Sequence, residues 1–545
     1  MPSAIFMLKR ILKFLGYTVL ILFMLVSILL YLLSKEKYQN ILVQKASSYL
    51  SEKLHTKVDV GHVKFEFFNR FSIEHVYIED DHKDTLAYIG ALQLKTSELF
   101  SNYWDNEPSV IHHVGLEDVY VHMNRLKDTS RWNYDFIADA FSSGTSTDTT
   151  VKKDEPKQKE GTASSPAIDL KHVELKRIRF LMDDAWRGED MHFVINSLVL
   201  DVKQLDLKNK LIALQQLAIG QANIAVREYE RGKPEDLTPD DTTEWGTPFN
   251  PDLFTVKLDD LALTASSFVY EVEGDQPAPH EFDENHLQIS DINIALKQVH
   301  VVADSLFADI KSLTAKERCG IEIKSLSAKA KLSQVQSYLD ELKLVTNYSN
   351  LEGRYEMNYR NFHDFNDYIT KVNMKANLKP SRVSSLDIGY FANILNQYPI
   401  NVDLQGNMNG TVDLMQATDI VLHASQTHFI GDATITGLPD IDETIFDVYA
   451  KRLKTSGPDL NRLIPQTKVD GVAWNELKNI EFAGNYKGHV DDFQAKGDLV
   501  TTLGNGRVDV NMNFKSKITK YDGYIKTDNF QLGKLIQQSS LGRIS

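Results

Sequence analysis

Residues 480–514 read IEFAGNYKGHVDDFQAKGDLVTTLGNGRVDVNMNF, and their spacing decides the fold. Apolar or small side chains fall on every second position: Ile480, Phe482, Gly484 and Tyr486, then Phe493, Ala495, Gly497 and Leu499, then Val508, Val510, Met512 and Phe514. A period of two marks a strand with one apolar and one polar face, because successive side chains on a strand point to opposite sides. Asn505-Gly506 between the last two runs is a hairpin signal, since both residues accept the positive φ of a tight turn.

The same alternation extends back through most of the chain. It recurs at Ile168/Leu170, Val173/Leu175, Ile178/Phe180/Met182, Ile292/Ile294/Leu296, Leu326/Ala328/Ala330/Leu332 and Val372/Met374/Ala376/Leu378. Val58 and Val60 alternate with polar residues, and the parity flips after Gly61-His62 to Val63, Phe65 and Phe67, which predicts a turn or bulge there. Helical patterning is scarce. Tyr38, Ile41, Leu42, Ala46, Tyr49, Leu50 and Leu54 form one amphipathic stripe. Short helices are expected at Trp132–Phe141, from Ser384 through Leu395, and at Pro458–Ile464.

The N-terminus carries a different signal. Leu15–Leu33 is uncharged and includes Leu15, Val19, Leu22, Leu25, Ile28 and Leu33. At ~1.5 Å per residue it spans ~28 Å, close to a bilayer's hydrocarbon thickness. Lys9, Arg10 and Lys13 precede it, so residues 1–14 are expected in the cytoplasm, 15–33 as a membrane anchor, and the rest of the chain across the membrane. A cleaved signal peptide would have a shorter apolar run and a small-x-small site, whereas YLLSKEK follows here. The remaining organisation reads as an N-terminal module at 35–141, a polar linker at 142–166 rich in Ser and Thr, and a β region at 167–545; Gly232–Pro251 reads as a long loop within it.

Composition narrows the function. The 545 residues carry a net charge of −15, which lacks the basic footprint that nucleic-acid binding requires. The single cysteine, Cys319, permits no internal disulfide and reads as an isolated thiol. There is no GxxxxGK[ST], GxGxxG, HExxH, GxSxG or EF-hand loop, so no catalytic residue, cofactor or metal site is assigned and the chain is not read as an enzyme. His112-His113 and the scattered His55, His62, His75 and His82 lack ligand spacing and read as surface residues. Asp80-Asp81, Asp183-Asp184, Asp259-Asp260 and Asp491-Asp492 read as turn formers at strand ends rather than as paired glycosidase carboxylates.

Many two-faced strands with few helices to cover them must be solved by stacked sandwiches, closed barrels, or one long sheet curled around something apolar. Sandwich domains predict a linker every ~100 residues. No second linker as polar as 142–166 follows, which favours the continuous sheet. About 30 strands at ~4.8 Å would extend on the order of 140 Å. Such a sheet, apolar inside and charged outside, is a groove.

The order of anchor, amphipathic helix, SYLSEKLHTKVDVGHVKF and FSIEHVYIEDDHKDTLAYIG resembles the start of AsmA-like proteins of the TamB type. WNYDFIADAF, IDETIFDVYAKRLKTSGPDLNRLIP and IEFAGNYKGHVDDFQAKGDL look similar to later segments of that family, and none of these phrases is a catalytic signature. The resemblance implies a mainly β fold, a membrane anchor followed by an elongated, curled β-groove of the β-taco kind. It implies a single-pass inner-membrane protein that carries phospholipid through the periplasm toward the outer membrane. The alternative it offers is a scaffold for assembly or secretion of outer-membrane barrels, with a BamA- or TamA-like partner. Family members are longer, so this chain is expected to be a fragment. The side chains expected to line the groove are Val58, Val60, Phe65, Val173, Leu175, Phe180, Ile294, Leu296, Met374, Leu378, Val510 and Phe514.

Overall fold

The computed structural model describes residues 39–66, 70–96, 109–142, 168–232, 250–274, 276–397, 399–463, 471–515 and 520–545. The expected cytoplasmic segment 1–14 and anchor 15–33 lie outside these residues, as does nearly all of the polar segment 142–166. No helix among the described residues is long and apolar enough to cross a membrane. The chain is mainly β with a few short helices, and it forms two compact units that divide between Arg318 and Cys319.

The first unit opens with helix α1 (Gln39–Leu54) and continues with twelve strands among the described residues: β1 (Val58–Val60), β2 (Val63–Glu66), β3 (Arg70–Glu79), β4 (Thr85–Thr96), β5 (Ser109–Arg125), β6 (Ile168–Leu170), β7 (His172–Asp184), β8 (Glu189–Asp206), β9 (Leu211–Glu228), β10 (Thr255–Val272), β11 (His286–Val302) and β12 (Ser305–Glu317). Helix α2 (Asp135–Ser142) follows β5. Ser47 and Ser51 of α1 dock it by accepting the Val60 and Val58 amides at 3.2 and 2.8 Å. Most neighbours are antiparallel, but β5 lies parallel to β6 and β7, and β9 parallel to β10. A parallel neighbour requires the chain to return along the strand, ~55 Å for seventeen residues. The two polar stretches of the sequence, 142–166 and 232–251, fall at these two returns. Strands on either side of 142–166 therefore share one sheet, with Val114 opposite Val173 and Leu116 opposite Leu175.

In the second unit, β13 (Glu322–Ser333), β14 (Gln336–Val345), β15 (Asn350–Asn358), β16 (Asn373–Ser384), β17 (Asn401–Gly410), β18 (Leu414–Ala424), β19 (Thr427–Thr436), β20 (Ile445–Thr455), β21 (Ile480–Gly488), β22 (Asp492–Thr501), β23 (Gly504–Asn513) and β24 (Lys520–Asp528) pair antiparallel in chain order. Among the described residues no pairing closes either sheet into a barrel. The β22–β23 hairpin turns at Thr502-Leu503, with Thr501 opposite Gly504, so Asn505-Gly506 lies inside β23 and is not the turn. Leu503 is 3% exposed in a cluster with Leu477 and Ile480; burying its side chain fixes the turn three residues earlier than the backbone preference of Asn-Gly suggests. The predicted short helices form at Asp135–Ser142, Ser385–Ile388 and Gly457–Leu463.

A crease crosses both sheets. His75, Asp118, Arg177, Gln221 and Ala265 all have positive φ near the middle of their strands, and the registers set them in a line. In the second unit Glu341, Gly353, Gly406 and Asp419 do the same. Each left-handed residue moves the alternation by one position, so the apolar parity changes while the face stays the same. Ile73 and Ile89 sit on opposite sides of the crease yet belong to one core cluster.

Candidate functional site: the apolar sheet faces

Residues opposite each other in a ladder share a face, so the registers give the composition of each face directly. In the first unit one row runs Val63, Ile73, Leu92, Leu116, Leu175, Leu198, Ile219, Leu263, Ile294 and Leu313. The next runs Phe71, Leu94, Val114, Val173, Leu200, Leu217, Leu261, Leu296 and Ile310. Beyond the crease a third runs Val58, Ile78, Ala87, Val121, Phe180, Phe193, Ile224, Phe268 and Ile289. No polar side chain interrupts the first two rows, and the third meets one only at its end, where Ile289 lies opposite Glu317.

The second unit repeats the arrangement with different chemistry. One row reads Ala330, Leu339, Tyr355, Ala376, Met408, Ala417, Ala433, Val448, Tyr486, Ala495 and Val510. A parallel row carries Leu332, Met357, Met374, Met415, Ile435, Phe446, Phe493 and Met512 with only Ser337, Gly410 and Gly488 between them. One residue along the strands, on the opposite face, the row is Lys331, Tyr338, Glu356, Lys375, Asn409, Gln416, Thr434, Asp447, Lys487, Gln494, Asn511 and Asp522. The two faces are separated as sharply as on an amphipathic helix.

What covers the apolar face changes along it. Beneath α1, Ile73 is 1% exposed, Ile89 3% and Leu92 4%, packed with Val43 of the helix. From β7 onward the same aliphatic rows continue, but Leu175, Leu198, Ile219, Leu263, Ile294 and Leu313 are all only partly buried. Short capping pieces close particular ends: Tyr359, Phe362, Phe365 and Tyr368 stack beside β15, where the Tyr368 hydroxyl lies 3.2 Å from the Tyr355 hydroxyl and 3.1 Å from Met374 Sδ. At one end of the first unit Met123, Met182 and Met191 form the last apolar row. The buried Arg125–Asp184 ion pair follows it, with Trp132 stacked 4.5 Å from the guanidinium.

Of the side chains expected from the sequence, Val58, Val60, Val173, Leu175, Phe180, Ile294 and Leu296 lie on the apolar face of the first unit, and Met374, Leu378 and Val510 on that of the second, while the Phe65 side chain lies outside those described. Phe514 lies one residue beyond β23 and packs against Phe493, 6.3 Å between ring centres. The registers join them to Leu198, Ile219, Leu263, Tyr355, Met408 and Tyr486, which the sequence reading did not single out.

The polar candidates resolve into structure. Asp80 is 3% exposed; it accepts the His82 and Asp84 amides at 2.9 and 2.8 Å and the Asn133 side chain at 2.9 Å, so its carboxylate is committed to a turn. Asp259 and Asp260 lie within β10 and not at a strand end as expected; they pair with Lys203 and Lys297 on neighbouring strands. Asp183 is gripped by His122 and His192, each at 2.8 Å, and this hydrogen bonding lifts the His122 pKa and lowers that of Asp183. Beside His122, Asp84, Thr85, Tyr88 and Tyr120 line a shallow opening on the polar face. No known protein family, curated protein or solved structure matches the chain.

Proposed function

We propose that the chain carries lipid along its apolar sheet faces, as an anchored periplasmic conduit between the inner and outer membranes. One observation carries the reading: two unbroken aliphatic rows of the first unit extend past the cover of α1 onto strands from β7 to β12, where each of their members is only partly buried. A water-filled apolar trough of that size is costly, and acyl chains are the natural filling. Each methylene transferred from water contributes about 0.8 kcal/mol, so a sixteen-carbon chain is held by on the order of 10 kcal/mol. The two aliphatic rows of the first unit are chemically even, so a chain that slides there by one strand exchanges one aliphatic contact for another and meets no deep trap. Headgroups stay in water at the open rim. No residue needs to make or break a covalent bond. The uncharged stretch Leu15–Leu33 and the resemblance to AsmA-like proteins support the same placement at the inner membrane.

The test is to purify the full chain in mild detergent and extract it for lipid while recording its native mass. Phospholipid at about one or more molecules per chain is expected. A folded, monodisperse, lipid-free protein would overturn the proposal. A scaffold for barrel assembly is the second reading, favoured by β24, where Tyr521 is 80% and Ile525 62% exposed on a strand paired only with β23 among the described residues. Such an edge can accept another strand.

A further inference from the structure

Between β16 and β17 the meander is interrupted by the segment Ser384–Ile400, SSLDIGYFANILNQYPI, whose polarity is partly inverted. Its first three polar side chains turn inward, while Asn393, Asn396 and Gln397 are exposed. Ser384 is 1% exposed, Ser385 7% and Asp387 8%. Asp387 accepts hydrogen bonds from the Thr346 hydroxyl and the Tyr348 amide, Ser349 Oγ accepts the Ser384 amide at 3.0 Å, and Ser385 Oγ accepts the Ile400 amide at 2.9 Å. Four of its apolar side chains turn outward: Ile388, Phe391, Ile394 and Ile400, beside Tyr348, are all exposed, while Leu386, Ala392 and Leu395 are partly buried. Asp387 is the one charged residue in these seventeen positions, in a chain that is 25% charged, and it is buried. The loop is held in this form by the Tyr390 hydroxyl on the Gly320 carbonyl, 3.2 Å, and by Asn396 on the Gly389 carbonyl, 3.3 Å.

We propose that this segment is a membrane-contact tip that inserts its apolar side chains into the interfacial region of a bilayer. Water does not select a surface with buried serines and exposed isoleucines, whereas an interface of lipid tails and headgroups does. Phenylalanine, tyrosine and asparagine without charge suit that depth, where aromatic rings lie at the headgroup level. A protein partner fits less well: five half-exposed side chains, each of ~150–250 Å² when free, offer on the order of 500 Å². A stable protein interface buries about 800 Å² per partner. The contact is separate from lipid carriage by the sheet, and either can hold without the other.

The experiment uses the full chain reconstituted into phosphatidylcholine vesicles, with an environment-sensitive nitrobenzoxadiazole label on Asn393→Cys and, for comparison, on Gln494→Cys of the polar sheet face. Cys319 is 1% exposed, and the unsubstituted chain measures its background labelling. Nitroxide-bearing lipid is expected to quench the label at 393 at least threefold more than at 494. Adding Phe391→Asp and Ile394→Asp should remove the difference. Equal quenching at the two positions overturns the proposal, as does quenching that survives the double aspartate change. A blue-shifted label at 393 that nitroxide lipid does not quench assigns the tip to a protein partner and also overturns it. Lipid extraction from the same samples reads the conduit separately, so failure of one reading does not masquerade as failure of the other.

Discussion

Ile294 and Ala295 are adjacent in β11 and lie on opposite faces, which turns the proposed conduit into a paired test. Ile294 joins the row between Leu263 and Leu313, and Ala295 joins Ala262 and Ser312 behind it. In Ile294→Asp a passing acyl chain loses about 2 kcal/mol of apolar contact. It must also strip water from a carboxylate with no cation beside it on that row, which costs several kcal/mol. A combined penalty of at least ~4 kcal/mol lowers occupancy at that station about a thousandfold. The fold loses far less, about 1–2 kcal/mol, because Ile294 is only partly buried and the new charge keeps water when no lipid is present. The assay is transfer of fluorescent phospholipid between donor and acceptor vesicles by the full chain, with circular dichroism and urea midpoints recorded alongside. Ile294→Asp should fall to background while Ala295→Asp transfers normally. Equal transfer by two well-folded variants would refute the face assignment; equal loss in both would show that the effect is not specific to the apolar row.

Three further outcomes are expected. Arg125→Met should destabilise the first unit by about 3–5 kcal/mol, because Asp184, 2% exposed, is left without its cation. The double variant Arg125→Met, Asp184→Leu should recover most of that loss in urea denaturation, and failure to recover would mean that the guanidinium matters mainly through Trp132. Gly353→Ala should lower stability by about 3 kcal/mol, since φ is +143° and an added Cβ would lie 2.1 Å from the Asn377 carbonyl oxygen; an unchanged urea midpoint would contradict the crease geometry. The His122–Asp183 contact should titrate with a defined sign. The folded pKa of His122 is raised above 6.5, so its contribution is complete below that value and disappears as pH rises through the folded pKa. Asp183 is lowered from 3.8, so its contribution is complete above that value and disappears as pH falls through the depressed pKa. Both act together between about pH 4 and 6.5, and partial exposure limits the gain to about 1 kcal/mol. By NMR, Asp183→Asn should lower the His122 midpoint; an unmoved midpoint would show that the carboxylate is not its cause.

Alternation made the faces legible because side-chain direction on a strand depends only on the residue's own position. Val173 and Leu175 could be placed beside Ile294 and Leu296 without knowing that β8, β9 and β10 lie between them. Three-dimensional adjacency was not legible for the same reason: a strand's pattern says which way it faces and nothing about its neighbour. The parallel placement of β5 beside β7 and of β9 beside β10 could not be read from the polar stretches 142–166 and 232–251 that separate them in sequence, because such polarity suits a linker and a crossover equally well. The crease explains why the pattern looked like many short strands. Leu175 and Ile178 are three apart, which in a regular strand puts them on opposite faces and suggests a break between two elements. Arg177 at φ +52° shifts the parity within one thirteen-residue strand, so two apparent strands become one and the count falls. A glycine at that position would have announced the shift, as Gly61 did. In the first unit the crease is instead built from His75, Asp118, Arg177, Gln221 and Ala265, held partly by cross-strand contacts such as Arg177 with Asp118 at 2.6 Å and Asn196 with Gln221 at 2.8 Å. Those contacts supply what glycine would have supplied by lacking a Cβ. Because they pair residues far apart in the chain, no local reading could find them, and they help one apolar face continue across the crease in these strands.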